Sequence, residues 1–152
     1  MASINPPVCD FGWQAPDFKL PDFNPVLGDG RFVSRDLAVG KNGLLVMFIC
    51  NHCPYVKAIL PRLIADVREL KMLGVNTVAI MSNDPTDYPE DSVENMQIIA
   101  REMDFPFPYL LDANQQIAKN YGQCVRLIFL VLTINLNCNT AAVLTKAAKK
   151  RL

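Results

Sequence analysis

Two cysteines separated by two residues, Cys50 and Cys53, with His52 between them, are the residues of this chain whose types and spacing can do chemistry. Their segment reads Phe48-Ile49-Cys50-Asn51-His52-Cys53-Pro54. A C-x-x-C pair can close a small disulfide ring, so one sulfur attacks a partner and the other resolves the mixed disulfide. The reactive form is the thiolate. A helix start favours it, because free N–H groups and the positive end of the helix dipole face it. Free cysteine titrates near 8.5, and in such motifs the value falls to roughly 3.5–7.5. His52 can add positive charge beside the pair. The expected centre is therefore a redox-active dithiol, Cys50 and Cys53, tuned by His52.

Two blander readings compete. The pair could be half of a zinc site with His52 as a third ligand. Against this, the chain has no second C-x-x-C, and His52 is its one histidine. Alternatively Cys50 could be an inert cysteine at a strand end, which the following Cys53-Pro54 and the strand-to-helix position disfavour. Neither a metal nor an organic cofactor is expected.

Positioning such a pair needs a strand before it and a helix after it. Leu44 to Ile49 is a continuous apolar run, suited to a strand buried on both faces. After Cys53, Pro54 sits at a tolerated first-turn position of a helix ending near Gly74. Val56, Leu60, Leu63, Ile64, Val67 and Leu70 give it one apolar stripe, and Pro61 should kink it. Val75 to Met81 predicts a second buried strand, and Asp84 to Glu90 a loop. Asp91 and Glu94 fit a helix start whose core face is Met96, Ile99, Ala100 and Met103. Phe107 to Leu111 reads as a third strand, and Gln115 to Tyr121 as a short helix closed by Gly122. Upstream, Phe18 to Leu20 and Arg31 to Val33 are short strand candidates around a turn at Gly28-Asp29-Gly30, after an extended arm over residues 1–16. Strand and helix alternate, which argues for an α/β layer fold.

Whole-chain properties exclude several classes. With 152 residues, 51% of them hydrophobic and 20% charged, the chain is one ordered domain rather than a disordered segment. Five cysteines, an odd number, without a secretion signal argue against a disulfide framework and for a cytoplasmic setting. The apolar run Leu127 to Leu132 is far shorter than the roughly 18 residues of a membrane span. Zero net charge gives no support for nucleic-acid binding. Trp13 and the aromatics from Phe105 to Tyr109 are expected to be core rather than a substrate surface.

Several segments resemble the peroxiredoxin-like (redoxin, AhpC/TSA) C-x-x-C branch of the thioredoxin-like superfamily. These are Gly12 to Phe18 with Leu20, Asp29-Gly30, Leu44 to Ala58 (LLVMFICNHCPYVKA), Val78 to Asp84, Tyr88 to Ser92, Asn95-Met96, Phe105 to Leu110 and Tyr121-Gly122. The resemblance implies a thioredoxin-like fold, three layers around a central mixed sheet, and a thiol oxidoreductase with an antioxidant role in cell redox homeostasis. It also implies a thioredoxin- or glutathione-type reductant as partner, and a protein disulfide or a peroxide as substrate. Two mechanisms follow from it. In thioredoxins the first cysteine of the pair, here Cys50, attacks and the second resolves. In peroxiredoxins the attacking cysteine precedes a proline and aligns with Cys53. Cys50 then stands where those proteins have a threonine, and Val46 where they have a proline. Disulfide exchange is the preferred reading, and peroxide reduction by Cys53 the alternative.

Beyond Gly122 the resemblance stops. All 15 acidic residues lie at or before Asp112, while Arg126, Lys146, Lys149, Lys150 and Arg151 follow. The family continues roughly as Ala-Val-Cys-Thr-Pro-Asp-Phe-Phe-Gly-Phe, then a strand ending Leu-Gln-Tyr-Arg-Gly-Arg. Read from the last base of the Gln123 codon, codons compatible with this tail allow Val-Cys-Thr-Pro-Asp, then Phe-Phe-Gly-Phe, then Glu-Leu-Gln-Tyr-Arg-Gly. The expectation is a one-base loss near Gln123, so that residues 1–122 form the redoxin domain and 123–152 are an out-of-frame or divergent tail. The fold's C-terminal part would then be incomplete. Its cis-proline loop would be missing, a sheet edge and a helix face uncovered, and Val125 to Ile134 an aggregation hazard. An inactive product and a non-catalytic binding module are the competing functional classes.

Overall fold

The apolar run becomes the middle of a sheet. In the computed structural model, which describes residues 13–28, 30–122, 128–133, 135 and 138–143, it forms β3 (Gly43–Phe48), all six residues of which are buried. Before it come β1 (Lys19–Pro21), β2 (Phe32–Ser34) and a short α1 (Arg35–Ala38). After it follow α2 (Pro54–Met72), β4 (Val75–Met81), a 3-10 turn (Pro89–Asp91), α3 (Val93–Glu102), β5 (Tyr109–Leu111), α4 (Gln116–Asn120), β6 (Ile128–Leu132) and β7 (Cys138–Val143).

The sheet runs β5-β4-β3-β6-β7, parallel from β5 to β3 and antiparallel from β3 to β7. Alternation along β3 builds both faces. Leu44, Val46 and Phe48 pack with Phe18, Val33, Ala38, Ala118 and Tyr121 under the β1–β2 hairpin and the short helices α1 and α4. Leu45 and Met47, with Ile49 beyond the strand, pack with Val56, Leu60, Ile64, Val67, Met96 and Ala100 of α2 and α3. The molecule is thus an α/β fold of three layers around a mixed central sheet, as expected. Phe105, Phe107 and Tyr109 lie inside it, and Trp13 packs edge-on against Tyr121 at 5.6 Å. No helix among the described residues is long and apolar enough to cross a membrane.

Differences from the sequence reading have local causes. The helix after the Asp84 to Glu90 loop is capped by Ser92, whose hydroxyl accepts from Asn95 N at 3.3 Å, not by Asp91. β5 starts only at Tyr109, since Pro108 has no N–H for the ladder, although its carbonyl accepts from Ala79 N. α1 is a four-residue helix capped by Ser34 and too short to carry a periodic signal. α2 runs as one helix from Pro54 to Met72 with Pro61 inside it, as the apolar stripe predicts.

The expected open edge is also corrected. β6 pairs antiparallel with β3 from Leu44↔Leu132 to Phe48↔Ile128, and β7 pairs with β6. A strand-prone apolar stretch finds the free edge of β3 whatever frame it was written in, because its backbone groups and apolar side chains are what that edge needs. Gly43 permits the fit. Its φ is +148°, and a Cβ there would stand 2.4 Å from the Leu132 carbonyl oxygen. The positions of the expected cis-proline loop, residues 123–127, lie outside the described residues, as does the arm through residue 12.

Candidate active site

Cys50 and Cys53 lie in the loop between β3 and α2. Cys53 is the N-cap residue of α2, with extended φ and ψ and Pro54 at the first helical position. Both thiols are free and partly exposed. The backbone N–H of Cys53 and the side-chain amide of Asn83 lie on the side of the Cys50 sulfur and oppose, in part, the rise that burial imposes on its thiol. The three residues singled out from the sequence are therefore brought together in one loop.

What organises the loop is a residue that sequence reasoning assigned to a helix cap. The Asp91 side chain is fully buried and its carboxylate faces the C-x-x-C segment. Oδ1 accepts from Asn51 N at 2.7 Å and from His52 N at 3.1 Å. Oδ2 accepts from Asn83 Nδ2 at 2.9 Å and lies 2.5 Å from His52 Nδ1. His52 is thereby fixed at one ring nitrogen, and its neutral form leaves Nε2 as an acceptor. On its other side the imidazole stacks on Tyr88, centroids 4.2 Å apart and planes 4° from parallel. Asn51 is held as well: its Nδ2 donates to Glu90 O at 3.0 Å, and its Oδ1 accepts from Tyr109 Oη at 2.8 Å. Burial, then the nearby Cys50 and Asp91 charges, keep that phenol neutral well beyond the usual tyrosine range.

The electrostatics depart from the sequence expectation at Cys50. Burial first, and the Asp91 carboxylate second, push its thiol up to about 12, against the lowering expected from the helix start. The N-cap position of α2 belongs not to Cys50 but to Cys53, three residues on. Cys50 stands instead behind the loop, against a buried acid.

Asp91, Asn83, Tyr88 and Tyr109 escaped the sequence reading. One signal was present: Asp91-Ser92 places two cap-type residues in succession, and only one can cap α3. Cys50, His52 and Asp91 also bring a sulfur, a nitrogen and a carboxylate oxygen within 4.8 Å of one another. Among the described residues this is the one such cluster of three metal-ligating types. Cys9 and Cys124 lie outside the described residues.

Comparison with known proteins agrees with this picture. The chain matches the AhpC/TSA family over residues 11–146. The solved structure of an uncharacterized conserved protein from Geobacillus kaustophilus is 36% identical, with a TM-score of 0.86, covering 96% of this chain and 75% of that one. A hypothetical protein from Sinorhizobium meliloti is 31% identical, with a TM-score of 0.80, covering 93% and 72%. A Mycobacterium tuberculosis disulfide oxidoreductase is 17% identical, with a TM-score of 0.67 over 85% and 84%, a likeness of fold. No curated protein sequence matches. The match over residues 11–146, borne by a three-layer thioredoxin-like fold, places this protein in the AhpC/TSA family.

Proposed function

We propose that the protein is a thiol–disulfide oxidoreductase whose redox couple is Cys50 and Cys53. The observation that carries this reading is the loop itself: two free cysteines three residues apart, between β3 and α2, with Cys53 at the N-cap of α2. Position divides the roles. Cys53, at the positive end of a 19-residue helix, attacks first. Cys50, behind it and beside Asp91, resolves. This reverses the order expected from thioredoxins.

In the forward step the Cys53 sulfur attacks one sulfur of a substrate disulfide. A Cys53–substrate bond forms, and the other substrate sulfur leaves with the bonding pair and takes a proton from water. Cys50 then gives its proton to the imidazole of His52, which Asp91 holds, and its sulfur attacks Cys53. The ring closes and the second substrate thiol departs. The protein loses two electrons and the substrate gains them. A thioredoxin- or glutathione-type thiol, available in the reducing cytoplasm where we place the protein, returns them.

Peroxide reduction is the second reading, favoured by the position of Cys53 directly before Pro54 at a helix start. There the Cys53 sulfur attacks one peroxide oxygen, the O–O bond breaks and the other oxygen leaves as water, taking the thiol proton. Cys53 is then a sulfenic acid, and the Cys50 sulfur attacks it, releasing a second water and forming the same disulfide.

The test is single-turnover oxidation of the reduced protein by a low-molecular-weight disulfide and, separately, by hydrogen peroxide. Cys50→Ser should stall with substrate sulfur bound to Cys53, and Cys53→Ser should not react. Turnover that survives in both variants refutes the dithiol and leaves a binding module or an inactive product. Faster oxidation by peroxide than by disulfide selects the second reading.

A further inference from the structure

We propose that the reduced protein binds a single zinc ion between the Cys50 sulfur, the His52 imidazole and the Asp91 carboxylate, with water in the fourth position. The sequence argued against a metal, since the C-x-x-C has no partner motif and His52 no second histidine. Folding supplies the missing ligand from a turn about forty positions along the chain. The three donor atoms lie within 4.8 Å of one another. In a tetrahedral zinc site, with bonds of roughly 2.0–2.3 Å, donor atoms stand roughly 3.3–3.8 Å apart. Small side-chain shifts reach that spacing: the Cys50 sulfur closes in, and the 2.5 Å His52–Asp91 contact opens as the metal replaces the proton between them.

Donor chemistry selects the metal. Thiolate, imidazole and a single carboxylate suit zinc, whereas magnesium and calcium require oxygen shells. The carboxylate is also pre-oriented. Asp91 is wholly buried, and the N–H groups of Asn51 and His52 and the amide of Asn83 hold it without occupying every lone pair. A negative group desolvated in this way beside a thiol and an imidazole is a site in which a divalent cation relieves the charge. Its consequence for redox chemistry rests on the function proposed above: a disulfide cannot donate Cys50 as thiolate, so oxidation releases the metal and bound metal blocks the dithiol. Binding itself does not depend on that function.

Metal-free, fully reduced protein should be titrated with zinc against a chromophoric chelator, and with cobalt as a spectroscopic stand-in. The expected result is one ion per chain and a cobalt–thiolate charge-transfer band. Cys50→Ser should abolish the band. His52→Ala and Asp91→Asn should each weaken zinc by at least about tenfold, and Cys53→Ser should leave the affinity nearly unchanged. Circular dichroism checks that each variant folds; His52→Ala keeps the test decisive if Asp91→Asn does not. Absence of stoichiometric binding overturns the proposal. So does binding indifferent to His52 and Asp91, which would mean that the cysteines alone hold the ion. Disulfide exchange, assayed in chelator on the same proteins, separates the two ideas: lost exchange with ligand-dependent zinc binding removes only the redox reading, and intact exchange without zinc binding removes only this one.

Discussion

Replacing Cys53 by serine leaves Cys50 as the only thiol of the loop and makes its acidity measurable. The substitution keeps the backbone N–H on the side of the Cys50 sulfur, and keeps Asn83 and Asp91 in place. Burial and the Asp91 charge raise the Cys50 thiol from an ordinary 9.0 to about 12. Three units of pKa mean about a thousandfold less thiolate at any pH well below 9. Only the thiolate is alkylated, so iodoacetamide should label Cys50 about a thousandfold more slowly than an unburied thiol at pH 7. The rate should climb about tenfold per pH unit through pH 10 without a plateau, because the midpoint lies above that range. Peptide mapping by mass spectrometry after timed quenching reads Cys50 separately from Cys9, Cys124 and Cys138, with chelator present throughout. Adding Asp91→Asn should speed labelling but recover only part of the thousandfold, since burial is the larger cause and remains. A plateau at or below pH 9 would refute the reasoning. It would mean that Cys50 is the activated sulfur and that the attack order is the one seen in thioredoxins.

Other consequences are open to equally direct tests. Tyr109→Phe removes the donor to Asn51 Oδ1 and leaves a buried amide oxygen unpaired, which should cost about 1–3 kcal/mol in urea unfolding and slow disulfide exchange; no change in either would show that Asn51 does not hold the loop. Gly43→Ala sets a Cβ against the Leu132 carbonyl at a positive φ, and should destabilise by about 1–3 kcal/mol if β6 is docked on β3. An unaltered midpoint would argue that the edge is open after all. Resequencing the gene across the codons for Tyr121 to Val125 should reveal one additional base and so restore a longer protein with the Thr-Pro loop; an unchanged sequence would retire the frame argument.

The fold was readable because its signals are long and local. Six apolar residues before Cys50, and a nineteen-residue amphipathic helix after Cys53, could hardly be placed otherwise. The cysteines and His52 were readable because their chemistry is carried by spacing. Asp91 was not, because its role depends on where the chain returns after β4. A carboxylate beside a serine before an apolar stripe looks like a cap, and nothing within the segment says that Ser92 takes that duty. The raised thiol of Cys50 was hidden for the same reason: the helix start is a local feature, whereas the burial that opposes it, and then the charge that adds to it, come from tertiary packing. The tail misled in another direction. It carries no acidic residue, yet its backbone pairs with the free edge of β3, which sets few demands on sequence beyond strand propensity.

These observations converge on one carboxylate with two opposed effects. Asp91 holds the active loop through the backbone N–H groups of Asn51 and His52, so removing it should loosen the geometry that keeps the cysteines together. Burial first, and the same charge second, make Cys50 a reluctant thiolate. A dithiol enzyme tolerates that only if the reluctant sulfur is the second to act, when a neighbouring disulfide already sits within reach and high effective concentration compensates for scarce thiolate. It also needs a base nearby, and His52, anchored by that carboxylate and backed by Tyr88, has a ring nitrogen within 4.8 Å of the Cys50 sulfur. Loop rigidity, the suppressed acidity of Cys50 and the assignment of first attack to Cys53 are thus one arrangement, and the attack order follows from burying Cys50 beside that carboxylate.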